Sequence, residues 1–489
     1  MDPEFPVREA PTVQAWPPDG PGLPGASEPV LAMADIQGNV VAGFNKNFQT
    51  LLHFRIEDAG AFRRAAAELG RRVATADEVL AFNRLFKRMR DRRGYSSAAR
   101  STWVNVAFSF AGLRKLRRDA EHFADPSFRD GAGAAADVLI IVAADDENDL
   151  AREVRRTRTL VEQRGATFVG RDEGKVRSDA VGHEHFGFLD GISQPGLRGR
   201  ASEDPTDLLT PRQNRGVPDE GKPGQELVWP GEFVFGYPGQ IGSRDGREPG
   251  GDASFDGAGS RQVPDWARDG SYLVFLRLRQ DVFRFHRFLR DEGARRGISA
   301  EAMGARIVGR WPSGAPVLRA PGGDDPDLAD NDCANNHFRF RKDSAPVAAG
   351  CGEECCPDRF PRAAADPQGL VCPLDAHIRK VYPRDDIGVR ERRLHRMIRR
   401  GIPYGAPSPS TPRRPLDDGE ERGLLFLAYM TSIGRQFDFV RDQWVRKADL
   451  PVRQAGTDAL LDRPDWIVPM GGGAYFTPSV SALEGALSS

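Results

Sequence analysis

Apolar side chains recur at every second position through Leu52, Phe54 and Ile56, the pattern of a half-buried strand, and the Ala-rich stretch Phe62 to Leu69 then changes to helical spacing. Val104, Val106, Phe108 and Phe110 alternate again ahead of a helical Leu113 to Leu116 segment. Val138 to Val142 is a short buried-strand run followed by a charged helix around Leu150 to Leu160. The first half is therefore α+β. In the second half the strand Tyr272 to Leu278, Asp281 and the helix Val282 to Leu289 repeat the order of Leu52 to Ile56, Asp58 and Phe62 to Leu69. Two related α+β halves would produce this echo, and so would any two strand-helix units. A long amphipathic helix is expected from Glu421 to about Arg446, then a turn at Gly471-Gly472-Gly473 and a closing strand at Ala474 to Thr477.

Composition divides the chain. Residues 1–34, rich in Pro and Gly without apolar period, read as a flexible arm; 35–198 form a first domain; 199–230, where Pro, Gly and charge concentrate, form a linker; and 231–489 form a second domain. Gln240 to Pro264 and Pro312 to Gly369 are irregular and longer than ordinary connections. With 489 residues there is room for an enclosed cofactor cavity, and 69 basic against 70 acidic side chains give no reason to expect nucleic acid or an anionic membrane as partner. No apolar run reaches the roughly 18 residues that span a bilayer. The longest, Val138 to Ala144, is closed off by Asp137 and Asp145. The start lacks an export pattern and opens on Met1-Asp2-Pro3-Glu4-Phe5, which a cloning scar would explain, so a soluble cytoplasmic protein is expected. The odd set of 5 cysteines favours a reducing compartment. Cys351, Cys355 and Cys356 crowd into one loop, where free thiols are favoured over a metal site or a local disulfide.

Two runs carry candidate chemistry. In Gly187-Phe188-Leu189-Asp190-Gly191-Ile192-Ser193-Gln194-Pro195 an acid stands between apolar residues and a turn, with glycines that permit close approach of a flat ligand. By itself this is either a positioned carboxylate or a plain Asp-Gly turn. In Cys372-Pro373-Leu374-Asp375-Ala376-His377-Ile378-Arg379-Lys380 the imidazole is a candidate iron ligand or a satisfied core histidine. From Arg379 to Arg400 there are eight arginines and one lysine against Asp385, Asp386 and Glu391, a surplus suited to buried propionates or to a solvated helix face. The run closes on Met397-Ile398-Arg399-Arg400-Gly401-Ile402-Pro403-Tyr404-Gly405, where Gly and Pro would end a helix and aim its last guanidinium. Arg284-Phe285-His286 carries no such weight, because Val282, Phe285 and Leu289 place it on an amphipathic helix.

Taken in order, the Gly187-x-x-Asp190-Gly191 run, the Cys372-Pro373 to His377-Ile378-Arg379 run and the Arg399 to Gly405 run resemble the dye-decolourising peroxidases. Supporting runs are Pro230 to Tyr237, Gly423 to Tyr429 with Arg435-Gln436-Phe437, and Tyr475 to Ser479; the resemblance spans about Asp35 to Leu483. It implies two ferredoxin-like α+β domains with antiparallel sheets and heme b held mainly by the C-terminal one. It also implies reduction of hydrogen peroxide with oxidation of dyes, phenols or other small organic donors through a ferryl intermediate. Carried over residue by residue, His377 becomes the proximal ligand, Asp190 the distal acid–base group and Arg399 the distal arginine, with Arg400 as the fallback. Arg379, Gly187, Gly191 and Phe437 become cofactor contacts. The stretch from His337 to Ala365 looks inserted relative to the family, and Asp375 replaces a smaller residue.

His377 should donate its second ring N–H to an acid or carbonyl, for which Asp438 is a candidate. Large donors would be oxidised at surface aromatic residues, with Tyr404, Trp311 and Trp444 as candidates. A heme carrier using the same pocket without turnover is the alternative, and a heme-free α+β interaction module is a third possibility.

Overall fold

The structure is a computed structural model that describes residues 28–91, 100–130, 136–214, 217–243, 247–252, 262–344, 360, 362–463 and 465–489. The first repeat runs β1 (Phe48–Ile56), α1 (Ala59–Gly70), β2 (Thr102–Phe108), β3 (Val138–Ala144), α2 (Glu147–Glu162) and β4 (Ala166–Lys175). Its strands are antiparallel in the spatial order β4-β1-β3-β2, with Leu52 opposite Ile140 and Val106 also opposite Ile140 from the other side. Alternation along β1 sends Leu52, Phe54 and Ile56 under Phe62 and Leu69 of α1 and Val161 of α2, while Leu51 faces a second core with Leu139 and Ile141. Because β3 is covered on both faces, its sequence is continuously apolar rather than alternating.

The second repeat has the same plan. β5 (Ser271–Gln280) leads to α3 (Val282–Arg296) and α4 (Ala300–Val308), then α5 (His377–Val381), β6 (Ile398–Arg399), β7 (Ile402–Tyr404), β8 (Gly423–Met430) and β9 (Ile467–Thr477). The order is β9-β5-β8-β6, with β7 also paired to β8. Asp58 caps α1 by accepting from the Ala61 N–H at 2.9 Å, and Asp281 caps α3 by accepting from the Arg284 N–H at 3.0 Å. The repeated strand, aspartate and helix thus mark the same local unit in two places.

A pairing of Phe476 with Phe108 joins the two halves into one nine-stranded sheet. Its far edges curl toward each other. A Cβ placed on Gly174 of β4 would lie 2.4 Å from Ile402 of β7. Asp172 of β4 accepts from Arg277 of β5 at 2.8 Å, although these strands are not neighbours in the sheet. The result is an α+β barrel of two ferredoxin-like repeats.

Several expectations are corrected. The stretch from Glu421 is not a helix: Gly423–Met430 is a strand between β5 and the short β6 and β7, and helical turns begin only at Gly434. Both faces of β8 are largely covered, so Leu424 to Met430 carries no period of two to betray a strand. Gly471 to Gly473 lies inside β9, not in a turn, because a Cβ at Gly472 would sit 2.1 Å from the Phe275 carbonyl oxygen on β5. Of the supposed arm, residues 1–27 lie outside the described residues, but Leu31 and Met33 are buried and Glu28 binds Arg198 and Arg212. Nor are residues 199–230 a loose linker. Leu227 and Val228 are buried in a short strand beside Gly196–Leu197, and Glu226 accepts from Tyr382 at 2.6 Å and from Arg392 at 2.8 Å. Burial opposes ionisation of Glu226, yet Arg392, Arg393 and Tyr382 outweigh it and hold the carboxyl down at about 2.

Cys351, Cys355 and Cys356 lie outside the described residues; Cys333 is disulfide-bonded, and Cys372 is a buried free thiol pushed up to about 12 by its burial. Among the described residues no helix is long and apolar enough to cross a membrane.

Candidate active site

The loop that follows Glu184 is built around that residue's carboxylate. Oε2 accepts from the Phe186 N–H at 2.8 Å and Oε1 from the Phe188 N–H at 2.9 Å, while Gln280 of β5 donates to Oε2. The Glu184 carbonyl oxygen accepts from Gly187 at 3.0 Å. Burial pushes this carboxyl up to about 7, and the nearby Asp190 adds to the rise. Gly187 and Gly191 take φ of +97° and +82°, conformations that a side chain disfavours, and a Cβ on either would meet nothing within 4 Å. Open space therefore borders both glycines. Leu189 is tied to Pro312 and Asp190 to Gly182 through backbone hydrogen bonds of 3.1 and 3.0 Å, which fixes where the Asp190 side chain leaves the loop.

Arg399 meets that side chain. Its Nη1 donates to Asp190 Oδ1 at 3.2 Å, and the same oxygen accepts from the Gly191 N–H at 2.6 Å. Neither side chain is enclosed, with relative exposures of 32% for Arg399 and 40% for Asp190. Arg399 stands on β6 rather than at a helix end, and Gln194 holds its backbone by donating to the Arg399 carbonyl at 2.9 Å and accepting from its N–H at 3.2 Å. Arg400 is directed elsewhere, donating to the carbonyls of Asn39 at 3.0 Å and Val41 at 2.8 Å. The geometry thus separates the adjacent pair: Arg399 joins Asp190, and Arg400 ties β6 to the first repeat.

His377 opens α5, with its side chain partly accessible. Its Nδ1 lies 3.0 Å from Asp458 Oδ2, and that fully buried carboxylate also accepts from the Leu460 and Leu461 N–H groups at 2.9 and 2.8 Å through Oδ1. Nε2 makes no hydrogen bond among the described residues. The expected partner Asp438 instead pairs with Arg441 at 2.8 Å. Asp375 lies close to Asp458: its carbonyl accepts from Ala459 at 3.0 Å, and burial, reinforced by the charge of Asp458, raises its carboxyl above the usual range.

Shared neighbours connect the two motifs. Phe188 belongs to one apolar cluster with Leu289, Met303 and Val308, against which Ala459 and Leu460 pack just after Asp458. Tyr382, five residues beyond His377, lies 3.8 Å beneath the Arg396 guanidinium, and Arg396 Nη2 donates to the Ser193 carbonyl at 3.3 Å.

Arg379 does not serve as a cofactor contact. It is fully buried, bound to Asp386 at 2.6 and 2.9 Å and to the carbonyls of Asp366 and Cys372 at 3.0 Å each, with Phe340 stacked 4.3 Å away. Near these motifs, Arg310, Arg384 and Arg396 have no carboxylate within ion-pair distance among the described residues, their guanidinium groups donating instead to amide oxygens. Burial pushes Arg310 down to about 9, and the buried Nε of Arg396 has no hydrogen-bond partner among the described residues. Phe437 packs against Phe426 with ring centroids 6.1 Å apart. Phe426, Phe437, Met397 and Val381 are all only partly buried, leaving apolar surface open around the histidine helix.

An imidazole with one nitrogen anchored, open space at two glycines, part-open apolar walls and uncompensated guanidinium groups together suit a flat apolar ligand with acidic substituents. Asp458, Arg396, Gln194 and Glu184 were not recognised from sequence. Gln194 lay within the motif already singled out, and a count of basic residues could not rank Arg396 above its neighbours. Tyr404, Trp311 and Trp444 are 5%, 8% and 4% exposed, so they are interior packing residues and not surface sites.

Comparisons with known proteins bear on the fold and the family. Residues 35–140 match the model of the DyP dimeric alpha+beta barrel domain and residues 337–482 that of the C-terminal part of Dyp-type peroxidases. A dye-decolorizing peroxidase from Mycena epipterygia is 30% identical, the alignment covering 96% of this chain and 90% of that protein. The structure of an ancestral D-type dye decolorizing peroxidase superposes with a TM-score of 0.71 at 29% identity, covering 94% of this chain and all of that one (100%). A dye-decolorizing peroxidase in complex with 2,6-dimethoxyphenol superposes at 0.68 with 25% identity over 94% of this chain and 100% of its own. The fold and these relatives define a heme-dependent peroxidase. The chain belongs to the dye-decolorizing peroxidase family.

Proposed function

We propose that this chain binds heme b through His377 and uses Asp190 and Arg399 to reduce hydrogen peroxide, oxidising phenols, dyes and other small donors in the process. The observation that carries the reading is the contact between Asp190 and Arg399, 209 positions apart in sequence, in a protein whose His377 is independently anchored by Asp458. Heme would supply the iron to which peroxide binds and the electrons that cleave its O–O bond. The remaining chemistry belongs to the side chains.

Asp190 takes a proton from the incoming peroxide and returns it to the departing oxygen; its Oδ1 is held by Gly191 and Arg399, leaving Oδ2 without a partner among the described residues and free for the transfer. Arg399 offsets the negative charge that develops on the leaving oxygen. Gln194, through the Arg399 backbone, and Glu184, through the loop amides, fix the separation of the pair. Asp458 fixes the tautomer with the proton on Nδ1, so that the Nε2 lone pair would be available to hold the iron. Arg396 is the donor best placed for a propionate. The 2,6-dimethoxyphenol complex of a similar protein supports a phenolic donor class.

The test is Asp190→Asn with Arg399→Leu, assayed by peroxide-driven dye oxidation and by the Soret band. Activity should fall by about 100-fold or more, the scale of a lost general acid–base step, with the Soret band retained. Undiminished turnover would place the chemistry elsewhere.

A further inference from the structure

Lys380 is fully buried, and among the described residues no carboxylate lies within ion-pair distance of it. Its Nζ donates instead to three backbone carbonyls, those of Lys447 at 2.8 Å, Gly456 at 2.8 Å and Leu450. Taking an ammonium out of water is costly unless its donors are satisfied, so a lysine in this position implies a task that an apolar residue could not perform. All three acceptors belong to the irregular segment between Val445 and Asp458. Among the described residues its other hydrogen bonds include Gly456 N–H to the Ala448 carbonyl at 2.9 Å, Ala455 N–H to the Val452 carbonyl at 3.1 Å, Gln454 N–H to Asp449 Oδ1 at 3.3 Å, Asp458 N–H to the Val445 carbonyl at 2.8 Å, and Ala459 N–H to the Asp375 carbonyl at 3.0 Å, and of these only the last reaches outside the segment and its flanking helical turn. It ends on the carboxylate that holds His377. Lys380 and His377 stand three residues apart on α5 and so share one helix face. The helix therefore grips the segment twice, through the imidazole at Asp458 and through the ammonium at its three carbonyls.

We propose that Lys380 is a positioning residue for the proximal side: by gathering the carbonyls of residues 447, 450 and 456 it fixes the Asp458 carboxylate against His377 Nδ1, and so sets how strongly the imidazole donates to iron. This rests on the assignment of His377 as the heme ligand. A well-placed carboxylate gives the imidazole partial anionic character and favours the ferric state. Loosening the segment weakens that contact, and the iron becomes easier to reduce.

The experiment compares wild type, Lys380→Met, Asp458→Asn and the double variant. Heme-loaded Lys380→Met should keep its Soret band but show a more positive Fe(III)/Fe(II) midpoint potential, and the double variant should shift no further than Asp458→Asn alone. An unchanged or more negative potential in Lys380→Met, or shifts that add in full, would overturn the proposal. Because Met leaves three carbonyls without a donor, Lys380→Gln serves as the milder variant and should shift in the same direction by less; no shift in it counts against the proposal. Hydrogen exchange on heme-free protein supplies a second readout. Amides of residues 447–458 should exchange faster in the variants than in wild type, whereas unchanged protection there would refute the tether. Absence of a Soret band in reconstituted wild type would sink the heme assignment and leave the exchange test standing.

Discussion

Replacing Asp458 with Asn is the most discriminating perturbation of the proximal side, because it changes the tautomer of His377 while leaving the turn intact. Asp458 Oδ1 accepts from the N–H groups of Leu460 and Leu461 at 2.9 and 2.8 Å, and the Asn carbonyl oxygen can take over both. The Asn NH2 must then occupy the position of Oδ2, 3.0 Å from His377 Nδ1. A donor facing Nδ1 is satisfied only if Nδ1 gives up its proton, and the neutral ring then carries its hydrogen on Nε2. That nitrogen can no longer ligate iron without forcing two donors together. Loss of such an outer partner typically lowers affinity by about 10- to 100-fold, or roughly 1.4 to 2.7 kcal/mol. Titration of heme into heme-free protein, followed at the Soret band, measures this directly. Wild-type heme affinity in Asp458→Asn, with the fold shown intact by circular dichroism, would refute the argument.

Other consequences follow from the same geometry. Glu184, held at about 7 instead of the ordinary 4.5, binds its proton more tightly in the folded chain than in the unfolded one; its contribution to stability is complete below about pH 4.5 and disappears as the pH rises through about 7. Denaturation of wild type and Glu184→Gln across that window should show wild type losing ground as the pH rises, by at most about 3 kcal/mol; parallel curves would contradict the assignment. Gly472→Ala, which brings a Cβ to within 2.1 Å of the Phe275 carbonyl oxygen, should destabilise the barrel by about 1 to 3 kcal/mol in urea unfolding, whereas a neutral result would mean that β9 does not lie against β5 as described. Asp281→Ala removes the cap of α3 and should cost about 1 kcal/mol, measurable as a lower Tm; no change would show the cap to be dispensable.

Much of this molecule could be read from the order of its residues. The end of β1 from Leu52 to Ile56 alternates because its apolar face packs under α1 while His53 and Arg55 stay at least partly exposed, and helices such as α2 follow a charged first turn, so local pattern and tertiary role coincide there. The misreadings share one cause. β8 is covered on both faces and the glycines of β9 are required by the close approach of β5, so burial by distant strands erased the local signal that distinguishes strand from helix or turn. The site follows the same division. Asp190, Arg399 and His377 stand in the runs that carry the family resemblance, while by composition alone each also has a bland reading; the structure brings the first two into contact. Asp458 lies 81 residues from His377 in an irregular segment, and nothing local marks it above Asp438. Arg379 misled because a guanidinium beside a candidate ligand histidine looks available until Asp386 is seen to bind it. Which arginine is spare depends on partners that only folding assigns.

Crystals of the heme-loaded protein, with iron located by its anomalous scattering, provide the most direct trial. The expected result is an iron atom bound by His377 Nε2, with the Asp190 carboxylate and the Arg399 guanidinium on the opposite face of the porphyrin. Iron bound by another side chain, or Asp190 and Arg399 on the same face as His377, would contradict it.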